Sequence, residues 1–207
     1  MTVIQHLSSS RRQTDNSANI ALAEDIVRSQ DKKALNELVE HLHDKNKHIQ
    51  SDCIKTLYEI GEREPKLIAD YVDEFAALLA SKNQRLVWGA MCALDGCVSA
   101  NAKAVYQHLS FILKVAEGES VIARDHAVII LSKLCIAGHN SECFPILLDI
   151  LREAPVNQVP AYAEKAASVV TKEDRNKLES VITIRLKDVA EYKPKVARLE
   201  KVLKGLM

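Results

Sequence analysis

The stretch Phe75–Val98, FAALLASKNQRLVWGAMCALDGCV, decides the fold. Its first half places apolar side chains at Phe75, Leu78 and Leu79. A polar break follows at Ser81-Lys82-Asn83. The second half places Leu86, Ala90, Met91, Leu94, Cys97 and Val98 at helical spacing. Two helices joined by a tight turn are the reading. The same pattern occurs upstream at Leu38–Gly61, LVEHLHDKNKHIQSDCIKTLYEIG, and its Lys45-Asn46 lies 37 residues before Lys82-Asn83.

Superposing the units on that period aligns Ile49, Cys53, Leu57 and Ile60 with Leu86, Ala90, Leu94 and Cys97. A further 37 residues on stand Ala123, Ala127, Leu131 and Leu134. A fourth unit follows at a spacing of 36, with Ala163 under Ala127 and Val170 under Leu134. The preceding helices align through Leu38, Phe75, Ile112 and Leu148. One column, Cys53, Ala90, Ala127 and Ala163, contains only small residues. Small side chains suit a place where stacked helices cross closely. Breakers punctuate the units at Glu64-Pro65, Asn101, Gly118, Gly138-His139-Asn140 and Pro155, and no segment reads as strand.

The unit resembles the HEAT repeat: a helix ending L-x-x-L-L, a short polar turn, then a helix of the form V-R-x-x-A-x-x-A-L. LLASKNQRLVWGAMCALDGCV carries the likeness best, and it extends over residues 31–170. Tetratricopeptide units are shorter, roughly 34 residues, and armadillo units longer. The resemblance implies an all-α, right-handed α-α superhelix of about five helix pairs plus an N-terminal helix. It also implies end caps, because no unit covers its apolar faces alone. HEAT units often carry an Asp in the turn and an Arg or Lys early in the second helix. Here Asp44 serves one unit and Arg85 another, without a clean pair in either. The expected organisation is a loose, polar segment 1–15 and a single domain 16–207. Within it, a helix ends near Ser29, another starts at Asp31, and capping helices fill 172–206.

The chain has 207 residues, 28 Lys plus Arg, and 28 Asp plus Glu. Zero net charge argues against a partner held chiefly by phosphate contacts, so nucleic acid is not expected. The segment from Lys172 is locally basic, either as a solvated cap or as a dock for an acidic partner. No apolar run reaches the ~20 residues of a membrane span. The N-terminus lacks a signal-peptide core. Five cysteines without a CxxC pair read as buried free thiols in a reducing compartment, and the expected location is the cytosol.

In HEAT arrays the second helices line the concave, binding face. The stripe beside the core columns comprises Ser51, Lys55, Tyr58 and Glu62, then Trp88, Cys92, Asp95 and Ser99. It continues through Asp125, Ile129, Ser132 and Ile136 to Ala161, Lys165 and Ser168. The residues expected to bind a partner are Tyr58, Trp88, Asp95, Ser132, Lys55 and Asp125. Trp88, the only tryptophan, is the natural anchor; its bland alternative is a gap filler between units. Should Trp88 be core, the face would have to be read from Asp52, Glu59, His126 and Lys133.

The function expected is a non-enzymatic scaffold that holds a protein partner, with no cofactor and no metal. The histidines His41, His43 and His48, and the pair His139 and Cys143, do not reach three or four ligands at zinc spacing. Cys92 and Asp95 have no histidine nearby in sequence, so a thiol nucleophile is not indicated. Asp125 and His126 are adjacent, so their side chains diverge on a helix. There is no Gly-rich phosphate loop and no GxSxG. The alternative is an enzyme. One form is a HEAT-like alkylpurine DNA glycosylase, with Trp88 stacking on a base and Asp95 stabilising charge on the sugar. The other is a lyase-type subunit of the kind some bacterial HEAT proteins form with tetrapyrroles.

Overall fold

A computed structural model describes residues 2–118 and 120–206. Among the described residues there are twelve α-helices and no strand. They are α1 (Ser17–Ser29), α2 (Lys32–Glu40), α3 (Lys47–Arg63), α4 (Pro65–Ile68), α5 (Val72–Leu78) and α6 (Gln84–Gln107). Then come α7 (Leu109–Ala116), α8 (Val121–Leu134), α9 (Asn140–Glu153), α10 (Val159–Ala167), α11 (Arg175–Leu186) and α12 (Lys193–Leu206). The contacts divide the chain into two compact units, residues 1–127 and 128–207.

In the first unit α3 packs against α1 and α6, and α5 packs against α6. The columns read from the repeat are its core. Leu38, Phe75 and Ile112 on the first helices are fully buried, as are Leu57 and Leu94 on the second. So are Cys53, Ala90 and Ala127, the small-residue column. Gly89 completes the close approach. A Cβ there would lie 2.5 Å from Cγ1 and 2.9 Å from Cγ2 of the buried Ile54 on α3.

The turns are held by asparagine caps, and in the first turn also by Asp44, which accepts from the Asn46 N–H and pairs with His41 Nδ1. Asn46 and Asn83, one period apart, cap α3 and α6 by accepting from the backbone N–H groups of His48 and Arg85. Asn83 Nδ2 also donates to Gln50 Oε1, and Gln50 Nε2 donates to the Asp44 carbonyl. An amide ladder thus ties one turn to the next. Breakers act where expected. Pro65 opens α4, where its missing N–H costs nothing. Asn101 interrupts α6 with non-helical angles, and its Nδ2 donates to the Ala69 carbonyl.

The N-terminal segment, loose on the sequence reading, is stitched to this unit. Leu7 is fully buried. The Ser8 N–H donates to Asn19 Oδ1, the Ser9 N–H to Asp52 Oδ2, and Asn19 Nδ2 to Asp52 Oδ1. Buried backbone donors need acceptors, and Asn19 and Asp52 supply them.

In the second unit Leu131, Leu134, Leu148 and Ala163 are buried. Gly138, at φ +103°, makes the bend from α8 to α9 that a side chain would strain. The fourth second helix ends at Ala167, short of Val170. Arg185 on α11 is buried, and its guanidinium donates to the carbonyls of Leu151, Arg152 and Ala154 at the end of α9. A cation there satisfies orphan carbonyls and meets the negative helix terminus.

Two outcomes follow for denaturant unfolding. Gly89→Ala should destabilise by about 1–3 kcal/mol, because the added Cβ would stand 2.5 Å from Ile54 Cγ1 and push that side chain from its place. Leu94→Ala should cost about 2–5 kcal/mol by leaving a cavity. Unchanged midpoints would show that the α3–α6 contact is looser than this packing implies.

Candidate functional site

Two grooves flank the N-terminal half of α6. The first, of about 440 Å³, is lined by Lys55 and Tyr58 of α3, by Arg85, Trp88 and Cys92 of α6, and by Ile122 of α8. Thr14 and Asn16 of the stitched N-terminal segment close one side. The second, of about 450 Å³, lies between Leu79, Gln84, Val87, Val115 and Ala123, with Trp88 again in its wall. Trp88 is 37 % exposed while its helix neighbours Val87, Ala90 and Met91 are buried. Its indole is therefore a ridge between two hollows, not a filler of the core.

Lys55 sits 4.4 Å from the centre of the Tyr58 ring. It pairs with the buried Glu59, which also takes Arg63 on the next turn. Burial opposes the Glu59 charge, but hydrogen bonds from Lys55 and Arg63 outweigh it and hold the carboxyl below its usual value. Both groove-wall charges on α3 are thus committed within the fold: Lys55 to Glu59, and Asp52 to the N-terminal segment. Arg85 is exposed and makes no ion pair among the described residues.

Of the six residues expected to bind a partner, the structure brings Lys55, Tyr58 and Trp88 to one groove. Asp95 and Asp125 are not in its wall. Ser132 is a correction: it is buried in the second unit, with its hydroxyl donating to the Ile129 carbonyl, so it presents nothing to a partner.

Asp95 has a different role. Its Oδ2 lies 3.1 Å from His126 Nδ1, and His126 Nε2 lies 3.1 Å from Cys92 Sγ. No histidine stands near Cys92 in sequence, but one meets it in space. The histidine arrives from the next repeat, on α8. In the repeat register His126 falls under Gly89, where the missing side chain brings the helices together, and that register was the available signal. Adjacent Asp125 is not the partner of His126; Asp95 is. A carboxylate accepts, so Nδ1 carries a proton, and Nε2 faces the sulfur. The three groups run in line on opposite edges of the imidazole and do not converge. Among the described residues no group of three or more His, Cys, Asp or Glu side chains is placed to hold a metal ion.

Burial pulls the His126 pKa down, but the hydrogen bonds and charges of Asp95 and Cys92 more than reverse this, and it is pushed up to about 10. The side chains of His126 and Asp95 are only 22 % and 14 % exposed, so solvent screens them little. By contrast burial pushes the thiols of Cys135 and Cys143 up to about 11 and 12, and that of Cys53 higher still. Those three are inert, buried sulfurs.

No family model matches the chain, and no curated protein matches it significantly. Solved structures do. A designed armadillo repeat protein in complex with the peptide (KR)4 is 18% identical, with a TM-score of 0.65 over 97% of this chain and 98% of that one. A computationally designed armadillo repeat protein for modular peptide recognition is 17% identical, with a TM-score of 0.61 over 98% and 97%. An archaeal HEAT-like repeat protein from Thermococcus onnurineus is 17% identical over 88% of this chain and 94% of its own, at a TM-score of 0.49. The fold is an all-helical repeat fold of the armadillo kind. Among the described residues no helix is long and apolar enough to cross a membrane.

The raised His126 has a consequence for stability. Its folded pKa lies above the usual 6.5, so its contribution is complete below pH 6.5 and is lost as pH rises through about 10. The stability difference between wild type and His126→Asn should accordingly be largest at acid-to-neutral pH and shrink in alkali. Thermal unfolding of both proteins across that range measures it. A difference independent of pH would mean that the imidazole is not charged in the fold.

Proposed function

We propose that the protein is a non-enzymatic scaffold that binds an extended peptide segment of a partner, across the groove between Lys55, Tyr58, Trp88 and Arg85. The observation that carries this reading is Trp88: the only indole in the chain stands exposed on a ridge between two hollows. Tryptophan in such a position supplies a large contact area for little entropy, and interfaces concentrate their binding energy on such residues. Ile122, 44 % exposed at the rim, extends the apolar surface.

The charge pattern suggests the chemistry of the segment. Lys55 and Asp52 are spent inside the fold, whereas Arg85 is exposed at the rim without an ion pair among the described residues. An apolar or aromatic side chain beside Trp88, with a carboxylate within reach of Arg85, fits that wall. The structural neighbours support peptide binding as a use of this architecture, since one is complexed with a peptide and another is designed for modular peptide recognition.

The test is selection from a random-peptide display library against the full chain, followed by binding of the enriched peptides to variants. Trp88→Ala should weaken them by about 2 kcal/mol or more, with the thermal midpoint nearly unchanged. Arg85→Glu should discriminate against peptides that carry a carboxylate. A large stability loss in Trp88→Ala with binding intact would contradict the reading.

A further inference from the structure

We infer that Cys92 is a thiol–disulfide exchange site, with His126 as the group that gives a proton to the leaving thiolate and Asp95 as the residue that positions the imidazole, and that a low-molecular-weight disulfide is its substrate class. The inference rests on three observations and does not depend on whether the groove binds a peptide. Cys92 Sγ has an imidazole nitrogen at 3.1 Å. That imidazole is fixed from behind by a carboxylate at 3.1 Å. The sulfur lies in the wall of a groove of about 440 Å³, whereas the other four cysteines are buried.

A thiol reacts as its thiolate, and an adjacent imidazolium favours that form. The protein holds the imidazolium by placing its two edges against Asp95 and the sulfur. In the exchange the proton shared by the pair stands on His126 Nε2, and the Cys92 thiolate attacks one sulfur of the disulfide R–S–S–R. A Cys92 Sγ–S bond forms as the R–S–S–R bond breaks, and the departing thiolate takes the proton from Nε2, leaving the imidazole neutral. Cys92 is oxidised to a mixed disulfide while half of the attacked disulfide is reduced to R–SH. Atoms, charge and electrons balance without another reactant.

Why sulfur and not an acyl group? Attack on a carbonyl builds an oxyanion that needs donors aimed at it. Cys92 sits mid-way along α6, where backbone N–H groups are committed to the helix. Attack on sulfur places the charge directly on the leaving sulfur and needs no such hole. The chemistry stops at the mixed disulfide. Among the described residues no second cysteine lines the groove, and the nearest in sequence, Cys97, is buried with its thiol donating to the Ile68 carbonyl. The adduct would occupy the hollow beside Trp88.

The experiment uses the full chain with oxidised glutathione and with a chromogenic dithiodipyridine. One thiol per chain should react in a fast phase, with intact mass and peptide mapping placing a single glutathionyl group on Cys92. Trp88 fluorescence should change at the same rate. Cys92→Ser should abolish the fast phase. His126→Gln should slow it tenfold or more. Asp95→Asn should slow it less and shift its pH–rate profile. Tyr58, Lys55 and Asp52 from α3 and Arg85 from α6 share the groove wall with Cys92. Wild type alone is decisive if the variants fail to fold. A Cys92 that reacts no faster than a cysteine in an unstructured peptide overturns the inference, as does a fast phase that survives His126→Gln.

Discussion

The contact between α3 and α6 is the constraint on which the rest of the first unit depends. Ile54 packs where a side chain on Gly89 would stand, and the fully buried column Cys53, Ala90, Ala127 keeps the crossing tight. A stacked repeat buries one continuous core only if each helix pair meets the next at close range. The next approach, of α8 to α6, lets His126 reach Cys92 and Asp95 across more than thirty residues of sequence. The groove beside Trp88 is lined from α3, α6 and α8.

Much of the fold was legible because helical repeats write their packing into periodicity. Leu38, Phe75 and Ile112 recur at the unit period and all are fully buried. Asn46 and Asn83 recur too, and both are caps. Asn101 and Gly138 read as breakers and are the points where the helical angles fail. Periodicity reports which face is buried, however, and not which side chains meet across neighbouring helices. The union of Cys92, Asp95 and His126 needs that second kind of information. Scanning one helix for a nearby histidine could not find it. Ser132 failed for a related reason: the stripe is a geometric line, but this position on it is covered while Ile136 one turn on is exposed, and a hydroxyl can satisfy itself on its own helix. The N-terminal segment looked polar and therefore loose, although its polar groups are the ones that Asn19 and Asp52 hold.

The candidate site combines two properties that favour different chemistry. Its rim, with Trp88, Ile122 and Arg85, is the surface we propose for recognition. Its wall holds a sulfur backed by an imidazole and a carboxylate whose charges are shielded from water. A modification at Cys92 would change the shape of the surface that Trp88 presents, because both line the same hollow. On the two proposals taken together, recognition and thiol state would be coupled through volume.

The relay of carboxylate, imidazole and sulfur between adjacent repeats is the central claim, and the ring nitrogens of His126 report it directly. Nitrogen-15 spectra of the imidazole, recorded across pH on the folded chain, should show both nitrogens protonated at neutrality, with titration near 10. In Asp95→Asn the midpoint should fall. A midpoint near the usual 6.5 in wild type would contradict the account, because it would leave His126 an ordinary histidine held by neither partner.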